Sequence, residues 1–178
     1  MSVLTPINEA FSKLLLTIES VDESELVPVL DCVGRVLAVD LISAVDVPPL
    51  TNSAMDGFAV NSADIKKPST ILNVSQRIVA GEIGDKLNEG EAARIFTGAP
   101  IPEGSDAVVM QENCELDGNK VTVLQNISSG ENLREAGEDV KSGMVLLVAG
   151  HRLLPQDIGL AASTGVDFLK VKRKLRVA

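Results

Sequence analysis

The feature of this sequence that most constrains its fold is a series of short apolar segments between Thr70 and Leu124. Each segment has the composition of a β-strand, and glycine, proline, asparagine or aspartate separates it from the next. The predicted strands are 71–74, 76–79, 92–96, 107–110, 114–116 and 120–124. Asp117-Gly118, between the last two, is a hairpin signal. This spacing predicts a small β-barrel or sandwich over about residues 55–125.

Helices and extended segments are predicted on both sides of this β-rich middle. Thr5 is predicted as the N-cap and Pro6 as the first residue of an N-terminal helix. Gly34–Ala38 is predicted as a short helical turn, and Pro155–Ser163 as a helix followed by Gly165 at its C-terminal end. The first helix carries one apolar stripe, formed by Ile7, Ala10, Phe11, Leu14, Leu15 and Ile18. Two partners for that stripe stay open, which are the body of its own chain and a second chain.

The flanking segments predict how the domains are arranged. The simplest arrangement joins the two flanks into one linker domain, into which the β-rich middle is inserted. The predicted parts are an N-terminal helix at 1–20, a linker domain at 21–45 and 140–174, an inserted β-rich domain at 46–139, and the start of another domain at 175–178. The predicted fold class is therefore α+β and mostly β, with a small barrel or sandwich-like inserted domain.

Composition excludes several classes of function. Lysine and arginine total 16 against 25 acidic residues, and aromatic residues make up 2% of the 178-residue chain. Such a chain lacks the cations and aromatic rings that bind nucleic acids. His151 is the only histidine, which excludes a histidine-based triad or a multi-histidine metal site within this chain.

The sequence also predicts where the protein is located. Cys32 and Cys114 lie far apart in the sequence and fit reduced thiols better than a disulfide framework. No run of about eighteen apolar residues is present to span a membrane, and the N-terminus lacks the pattern of a signal peptide. We therefore expect a cytoplasmic protein with no membrane partner.

Three loops hold side chains that can carry chemistry. The first, within 46–60, holds Asn52, Ser53 and Asp56, and prolines precede it while a predicted strand follows. The second places Thr97-Gly98 at the end of an apolar strand, and the third ends at Asp139. Two carboxylates and a threonine hydroxyl can bind Mg²⁺ or orient a water at a phosphate. The simpler alternatives are a structural Asx-turn at Asp56 and an ordinary strand-ending turn at Thr97-Gly98.

Several of these segments together resemble a known signature. They are Asp46-Val-Pro-Pro, Asn52-Ser-Ala-Met-Asp-Gly-Phe-Ala-Val60, Arg94-Ile-Phe-Thr-Gly-Ala-Pro-Ile-Pro102, Asp106-Ala-Val-Val-Met-Gln-Glu112, Asn132-Leu-Arg134 and Gly137-Glu-Asp139. In sequence and order they resemble the molybdopterin molybdenumtransferase family, which contains the MoeA proteins and the E-domain of gephyrin. The resemblance runs over almost the whole chain.

The resemblance implies a fold, an activity and a set of site residues. It implies an elongated homodimeric protein in which an α/β domain follows this chain, beginning near residues 175–178. The family inserts molybdenum from molybdate into adenylated molybdopterin, with loss of AMP and help from a divalent cation such as Mg²⁺. By motif match, Asp56, Thr97 and Asp139 are the expected catalytic residues. Asp56 and Asp139 are the expected metal ligands, and Ser53, Gly57 and Gly98 are the expected cofactor-binding residues.

Two functions follow from this reading. In the first, the chain is the N-terminal part of a molybdenum-insertion enzyme and is inactive alone, because the family's site requires the α/β domain. The expected partners are then adenylated molybdopterin, molybdate, a second copy of the chain and the molybdopterin adenylyltransferase that hands over the pterin. The alternative is a non-catalytic dimerisation or assembly module. A third reading, an unrelated small β-domain that binds a ligand, conflicts with the motif match.

Overall fold

The computed structural model describes residues 5–176. Two α-helices, twelve β-strands and three short 3-10 helices form the regular structure of this part of the chain, and the α-helices and strands are numbered below. In order they are α1 (Ile7–Leu16), β1 (Ser24–Pro28), β2 (Leu41–Ile42), β3 (Asn52–Ser53), β4 (Gly57–Val60), β5 (Thr70–Ile78), β6 (Glu91–Ile95), β7 (Ala107–Met110), β8 (Cys114–Asp117), β9 (Lys120–Val123), β10 (Leu133–Arg134), β11 (Val145–Leu147), α2 (Pro155–Ser163) and β12 (Phe168–Lys172). The predicted class, α+β and mostly β, is confirmed.

The chain divides into two compact units. One is the continuous segment Ser43–Met144, and the other combines the described residues up to Ile42 with those from Val145 onward. All of the candidate site residues belong to the continuous unit.

A six-stranded sheet forms the continuous unit. Its strand order is β7-β4-β6-β5-β9-β8, and β5 and β6 pair in parallel while the other neighbours are antiparallel. The two strands predicted at 71–74 and 76–79 form the single strand β5. Its pairing with β6 continues across both parts, with a shift of register between Val74 and Gln76. The predicted hairpin at Asp117-Gly118 joins β8 to β9, and Gly118 has a φ of 60°.

Alternation along these strands builds two apolar clusters within the unit. Phe58, Val60 and Val109 belong to one cluster, whereas Ala59 and Val108 belong to the other. Because successive side chains of a strand point to opposite faces, β4 and β7 each contribute to both clusters. Both faces of the sheet are therefore covered at β4, whose four residues are all buried.

The other unit is held together by pairing between its two segments. β1 pairs with β12, and β2 pairs with β11, both antiparallel. The helix α2 packs near the turn at Val29–Asp31 and contributes Ile158 and Ala161 to a cluster that includes Leu37 and Leu153. α2 has the predicted bounds, and Gly165 beyond its end has a φ of 77°, which is the usual position for a glycine.

Two predictions about this unit are wrong. Gly34–Ala38 is not a helical turn, because Val36 and Leu37 form isolated β-bridges with Arg152 and Val171. Such pairing with distant residues overrides local helix preference. The helix α1 begins one residue later than predicted, since Pro6 occupies the N-cap position with an extended ψ of 143° and Thr5 lies outside.

The apolar stripe of α1 lies open to solvent in this chain. The exposed fraction is 60% for Phe11 and 52% for Leu15, and no residue of α1 is buried. Of the two partners left open, the described part of its own chain does not cover the stripe. A second chain remains the open alternative.

Other predictions concern thiols, membranes and the chain terminus. Cys32 and Cys114 are both free, and burial raises the pKa of Cys114 to about 11.

Neither described helix is long and apolar enough to cross a bilayer. The predicted start of another domain at 175–178 lies partly outside the described residues, which end at Arg176.

The N-terminus of α2 is held by one buried carboxylate. Oδ2 of Asp157 accepts a hydrogen bond from the backbone N–H of Leu154 at 2.7 Å and lies 2.7 Å from Nε2 of His151. These two contacts, the backbone one first, hold the pKa of Asp157 below its usual range. The carboxylate therefore stabilises the fold above the ordinary aspartate pKa of about 3.9, and this contribution is lost as the pH falls through the lower folded pKa.

We expect Asp157→Ala to destabilise α2 at pH 7 by about 1 kcal/mol, because it leaves an N-terminal backbone N–H without its acceptor. Hydrogen exchange of the α2 amides measures this opening free energy. The difference from wild type should shrink as the pH is lowered towards 3. Asp167→Ala, which removes an exposed carboxylate from the same unit, serves as the control. An equal effect of both substitutions would contradict the assignment.

Candidate functional site

Asp56 and Thr97 form the centre of the candidate site. Asp56 immediately precedes β4, and Thr97 follows β6, the strand next to it in the sheet. Oδ1 of Asp56 accepts two hydrogen bonds from Thr97, one from the backbone N–H and one from the hydroxyl, both at 2.9 Å. These bonds, the backbone one first, lower the pKa of Asp56 below its usual value. The exposed carboxylate is therefore anionic over the physiological pH range.

The second oxygen of Asp56 has a different environment. Oδ2 receives no hydrogen bond from any residue in the described part of the chain. One oxygen is thus used to fix the side chain, and the other is free for a ligand. A carboxylate that is anionic and has one oxygen free is better suited to binding a hard cation or a water molecule than to donating a proton.

A close contact between the backbones of β4 and β7 fixes the position of Asp56 immediately before β4. A Cβ on Gly57 would lie 1.9 Å from the carbonyl oxygen of Val109 in β7. No other residue fits there without moving the strands, so Gly57 is required by packing within the sheet. The backbone N–H of Gln111 also donates to the carbonyl of Asp56 at 3.1 Å.

Backbone hydrogen bonds at Ser53 and Gly98 join the loop that carries Asp56 to the loop that carries Thr97. The backbone N–H of Gly98 donates to the carbonyl of Ser53 at 2.8 Å, and that of Ser53 donates to the carbonyl of Ala99 at 2.9 Å. The buried hydroxyl of Ser53 bonds the carbonyl of Met55 at 2.5 Å, which closes the turn leading to Asp56. Gly98 has a φ of 82°, a conformation that glycine adopts without strain.

Asp139 lies in the same unit but is held differently. Nη2 of Arg134 lies 2.7 Å from its Oδ1 and 2.6 Å from its Oδ2, and Arg134 also reaches Glu138 at 3.5 Å. Arg134 belongs to β10, which pairs with β3 so that Arg134 lies opposite Asn52. Asp139 is thus connected to the first loop through Arg134, and no hydrogen bond among the described residues joins it to Asp56 or Thr97.

The structure therefore brings together some of the predicted site residues and not others. Asp56 and Thr97 are in direct contact, with Ser53, Gly57 and Gly98 in the backbone that supports them. Within residues 5–176, no group of three or more histidine, cysteine, aspartate or glutamate side chains is arranged to hold a metal ion. A Mg²⁺ ion commonly takes only one or two protein carboxylates and completes its shell with water and substrate phosphates. Asp56 fits that limited role.

Sequence reasoning did not single out three residues next to this centre. Arg94 donates from Nη1 to the carbonyl of Gly57 at 2.9 Å and from Nη2 to Oε1 of Gln111 at 2.6 Å. Arg134 holds Asp139, as described above. Arg94 and Arg134 both lie in the quoted motif segments, so an arginine inside a motif was the available signal. Gln111 also lies in one of those segments, although nothing local marked its contact with Arg94.

We expect Thr97→Val to raise the pKa of Asp56 towards its usual value, because the hydroxyl donor is lost while the backbone donor stays. NMR titration of the Asp56 carboxyl in this chain measures the change. Thr122→Val, on β9 of the same unit, serves as the control and should leave that pKa unchanged. An Asp56 pKa that is the same in wild type and Thr97→Val would show that the hydroxyl contact does not form in solution.

The chain matches a described protein family over most of its length. The model of the MoeA N-terminal region (domain I and II) matches residues 5–165. A molybdopterin molybdenumtransferase from Haemophilus influenzae is 36% identical over 172 residues, which cover 96% of this chain and 43% of the relative. One of the same name from Synechococcus elongatus is 41% identical over 159 residues, which cover 86% of this chain and 40% of the relative.

A solved structure agrees with these matches. The crystal structure of a molybdopterin biosynthesis MoeA protein from Pyrococcus horikoshii OT3 aligns with a TM-score of 0.90 at 36% identity. The alignment covers 97% of this chain and 47% of that one. This chain spans about two fifths of the length of the curated relatives it matches. With its fold, its motifs and these matches in agreement, the chain belongs to the MoeA family, whose N-terminal region it represents.

Proposed function

We propose that this chain is the N-terminal part of an enzyme that inserts molybdenum from molybdate into adenylated molybdopterin and releases AMP. The single observation that carries the proposal is the Asp56 carboxylate, fixed on one oxygen by Thr97 and free on the other. Membership of the MoeA family and the names of the relatives support it. The chain contributes one part of the site, and substrates and further domains complete it.

In this proposal Asp56 acts as a charged ligand. Thr97 holds one carboxylate oxygen and keeps the group anionic, so that the free oxygen can bind Mg²⁺ or a water beside the adenylate phosphate. The divalent cation, when bound, neutralises the charge of the phosphate oxygens. Ser53, Gly57 and Gly98 keep the two loops in position, and Thr97 is the candidate contact for a phosphate or molybdate oxygen when its hydroxyl rotates away from Asp56.

Asp139 is proposed as the second carboxylate of the site. Its two oxygens are both occupied by Arg134, so it offers a neutralised ion pair, whereas Asp56 forms no ion pair among the described residues. A ligand that reaches Asp139 must share it with Arg134 or displace the guanidinium. Asp56 is therefore the stronger candidate for the metal, and Asp139 for orienting the bound substrate through its ion pair.

A second proposed role is assembly, and the open stripe of α1 favours it. Phe11 and Leu14 are 60% and 59% exposed, and apolar residues at helical spacing are normally covered. We propose that a second copy of the chain covers the stripe and that the full protein is a homodimer. The adenylyltransferase that makes the pterin substrate is the proposed donor partner, and the cytoplasm the proposed location.

We expect Asp56→Asn, in the full-length protein, to abolish molybdenum insertion while leaving the fold intact. The amide oxygen still accepts both bonds from Thr97, but the charge that binds the cation is lost. Activity is measured as the formation of active cofactor in an apo-enzyme reporter supplied with adenylated molybdopterin, molybdate and Mg²⁺.

Asp85→Asn is the matched control, because Asp85 is an exposed residue of the same unit whose carboxylate forms no hydrogen bond or ion pair with the described residues. It should keep full activity and a wild-type melting temperature. A large drop in melting temperature for Asp56→Asn would support a purely structural turn instead.

We expect Phe11→Asp to shift any dimer of this chain towards monomer, because it places a charge in the middle of the exposed stripe. The dimer of the chain alone is expected to be weak, since stable interfaces bury roughly 1,200–2,000 Å² in total. Sedimentation velocity over a concentration series measures the change. Ser12→Asp adds the same charge on the polar side of α1 and should have little effect. A tight dimer that tolerates Phe11→Asp would place the interface elsewhere.

A further inference from the structure

Two arginines and one aromatic ring lie beside the Asp56–Thr97 pair. β5 and β6 run in parallel, and their register places Arg77 directly beside Arg94. Paired residues of neighbouring strands project from the same face of a sheet. The chain continues from β6 through Phe96 to Thr97. Both arginines therefore lie near the same end of the strands at which Thr97 contacts Asp56.

Both guanidinium groups stack on the same ring. Their central carbons lie 4.6 Å for Arg77 and 4.7 Å for Arg94 from the ring centroid of Phe96, and Arg94 also lies 5.1 Å from that of Phe58. Stacking holds a guanidinium through its flat face and leaves the N–H groups at its edges available. Both cations are thus held beside the ring of Phe96 without their donors being used up.

A count of the donors shows how many are left. A guanidinium has five N–H donors. Arg94 uses one to the carbonyl of Gly57 and one to Gln111, both neutral acceptors. Arg77 has no hydrogen bond from its side chain to any residue in the described part of the chain. Neither arginine forms an ion pair with a carboxylate there, whereas Arg134 and Arg35 do.

Two stacked and unpaired arginines are unusual in a chain with 25 acidic residues and 16 basic ones. Neither positive charge has a carboxylate partner in the described part of the chain, and a bound anion beside both would supply one. We propose that Arg77, Arg94 and Phe96 form an anion subsite that takes a tetrahedral oxyanion next to Asp56 and Thr97. The paired N–H groups of a guanidinium match the oxygens of such an anion.

The choice of ligand class rests on the proposed function, since the proposed reaction involves two oxyanions of this shape. One is the phosphate group of the adenylate, and the other is molybdate. The subsite gives the anion a fixed position relative to the free oxygen of Asp56. Arg77 and Arg94 then hold the anion, while Asp56 holds the cation that accompanies it.

Anion binding to this chain tests the inference. ¹⁵N-labelled protein is titrated with inorganic phosphate, with molybdate and with AMP in separate NMR experiments, each at constant ionic strength set with chloride to hold screening constant. We expect saturable shifts at the amides of Arg77, Arg94 and Thr97 with a Kd of about 1 mM. Tighter binding of AMP would identify the nucleotide phosphate as the source of the ligand, and tighter binding of molybdate the free oxyanion.

The variants are chosen to separate the subsite from general charge. Arg77→Gln should weaken binding about tenfold, because an exposed charged donor is lost without a buried contact. Phe96→Leu retains both charges but removes the stacking surface, and it should also weaken binding. Arg152→Gln removes an exposed cation from the other unit and should have no effect. Preserved peak dispersion in each spectrum shows that the variant is folded.

Three results would overturn the inference. They are the absence of saturable shifts up to about 50 mM anion, which is far above the expected Kd, equal weakening by Arg77→Gln and Arg152→Gln, and saturable shifts confined to other parts of the chain. None of these results depends on molybdenum insertion. If no anion binds at the subsite but Asp56→Asn abolishes molybdenum insertion, the proposed function stands without the subsite. If the anion binds but Asp56→Asn retains activity, the subsite stands without the proposed function.

Discussion

The backbone contact between β4 and β7 at Gly57 is the constraint on which the candidate site depends. Any side chain at this position would collide with the carbonyl of Val109. The contact keeps β4 between β7 and β6, and its four buried residues anchor it from both faces of the sheet. Asp56 is the residue just outside this buried strand. Its side chain therefore has a fixed origin and meets Thr97 at the end of the neighbouring strand.

The two candidate carboxylates differ in what holds them, and this difference sets their chemistry. Asp56 is held by neutral donors, which fix one oxygen and leave its charge without an ion-pair partner among the described residues. Asp139 is held by a guanidinium that neutralises it. Arg94 lies near Asp56, yet its described hydrogen bonds go to a carbonyl and an amide. The site thus keeps the guanidinium of Arg94 and the carboxylate of Asp56 near each other without an ion pair between them. Such an arrangement suits a ligand that combines an anion with a cation.

Much of the fold was accessible from sequence because its determinants are local. The strands between turns, the hairpin at Asp117-Gly118 and the helix ending before Gly165 all follow from residues within a few positions of one another. The helical turn predicted at Gly34–Ala38 was wrong because its bridging partners are more than a hundred residues away in the chain. The partner of α1 stayed open at the level of sequence because periodicity reveals an apolar stripe but not what covers it.

The candidate site was accessible only in part. Motif resemblance supplied Asp56 and Thr97 separately, whereas their hydrogen bond depends on the pairing of β4 with β6. The proximity of Arg77 and Arg94 was harder to foresee, since it requires a parallel register between β5 and β6 with a shift in the middle. Neither a register nor a shift is encoded in the spacing of a single strand.

The two-segment construction of the unit that contains α2 has a consequence for the order of folding. β1 pairs with β12 across nearly the whole chain, and closing so long a loop in an unfolded polypeptide costs more entropy than closing a short one. Pairings inside Ser43–Met144 span much shorter separations. Once that segment has folded, the effective loop between β1 and β12 is far shorter, because a compact body replaces a flexible coil. Synthesis from the N-terminus favours the same order, since β12 follows the whole of Ser43–Met144 in the chain. We therefore expect the six-stranded sheet to fold first and the pairing of β1 with β12 to follow.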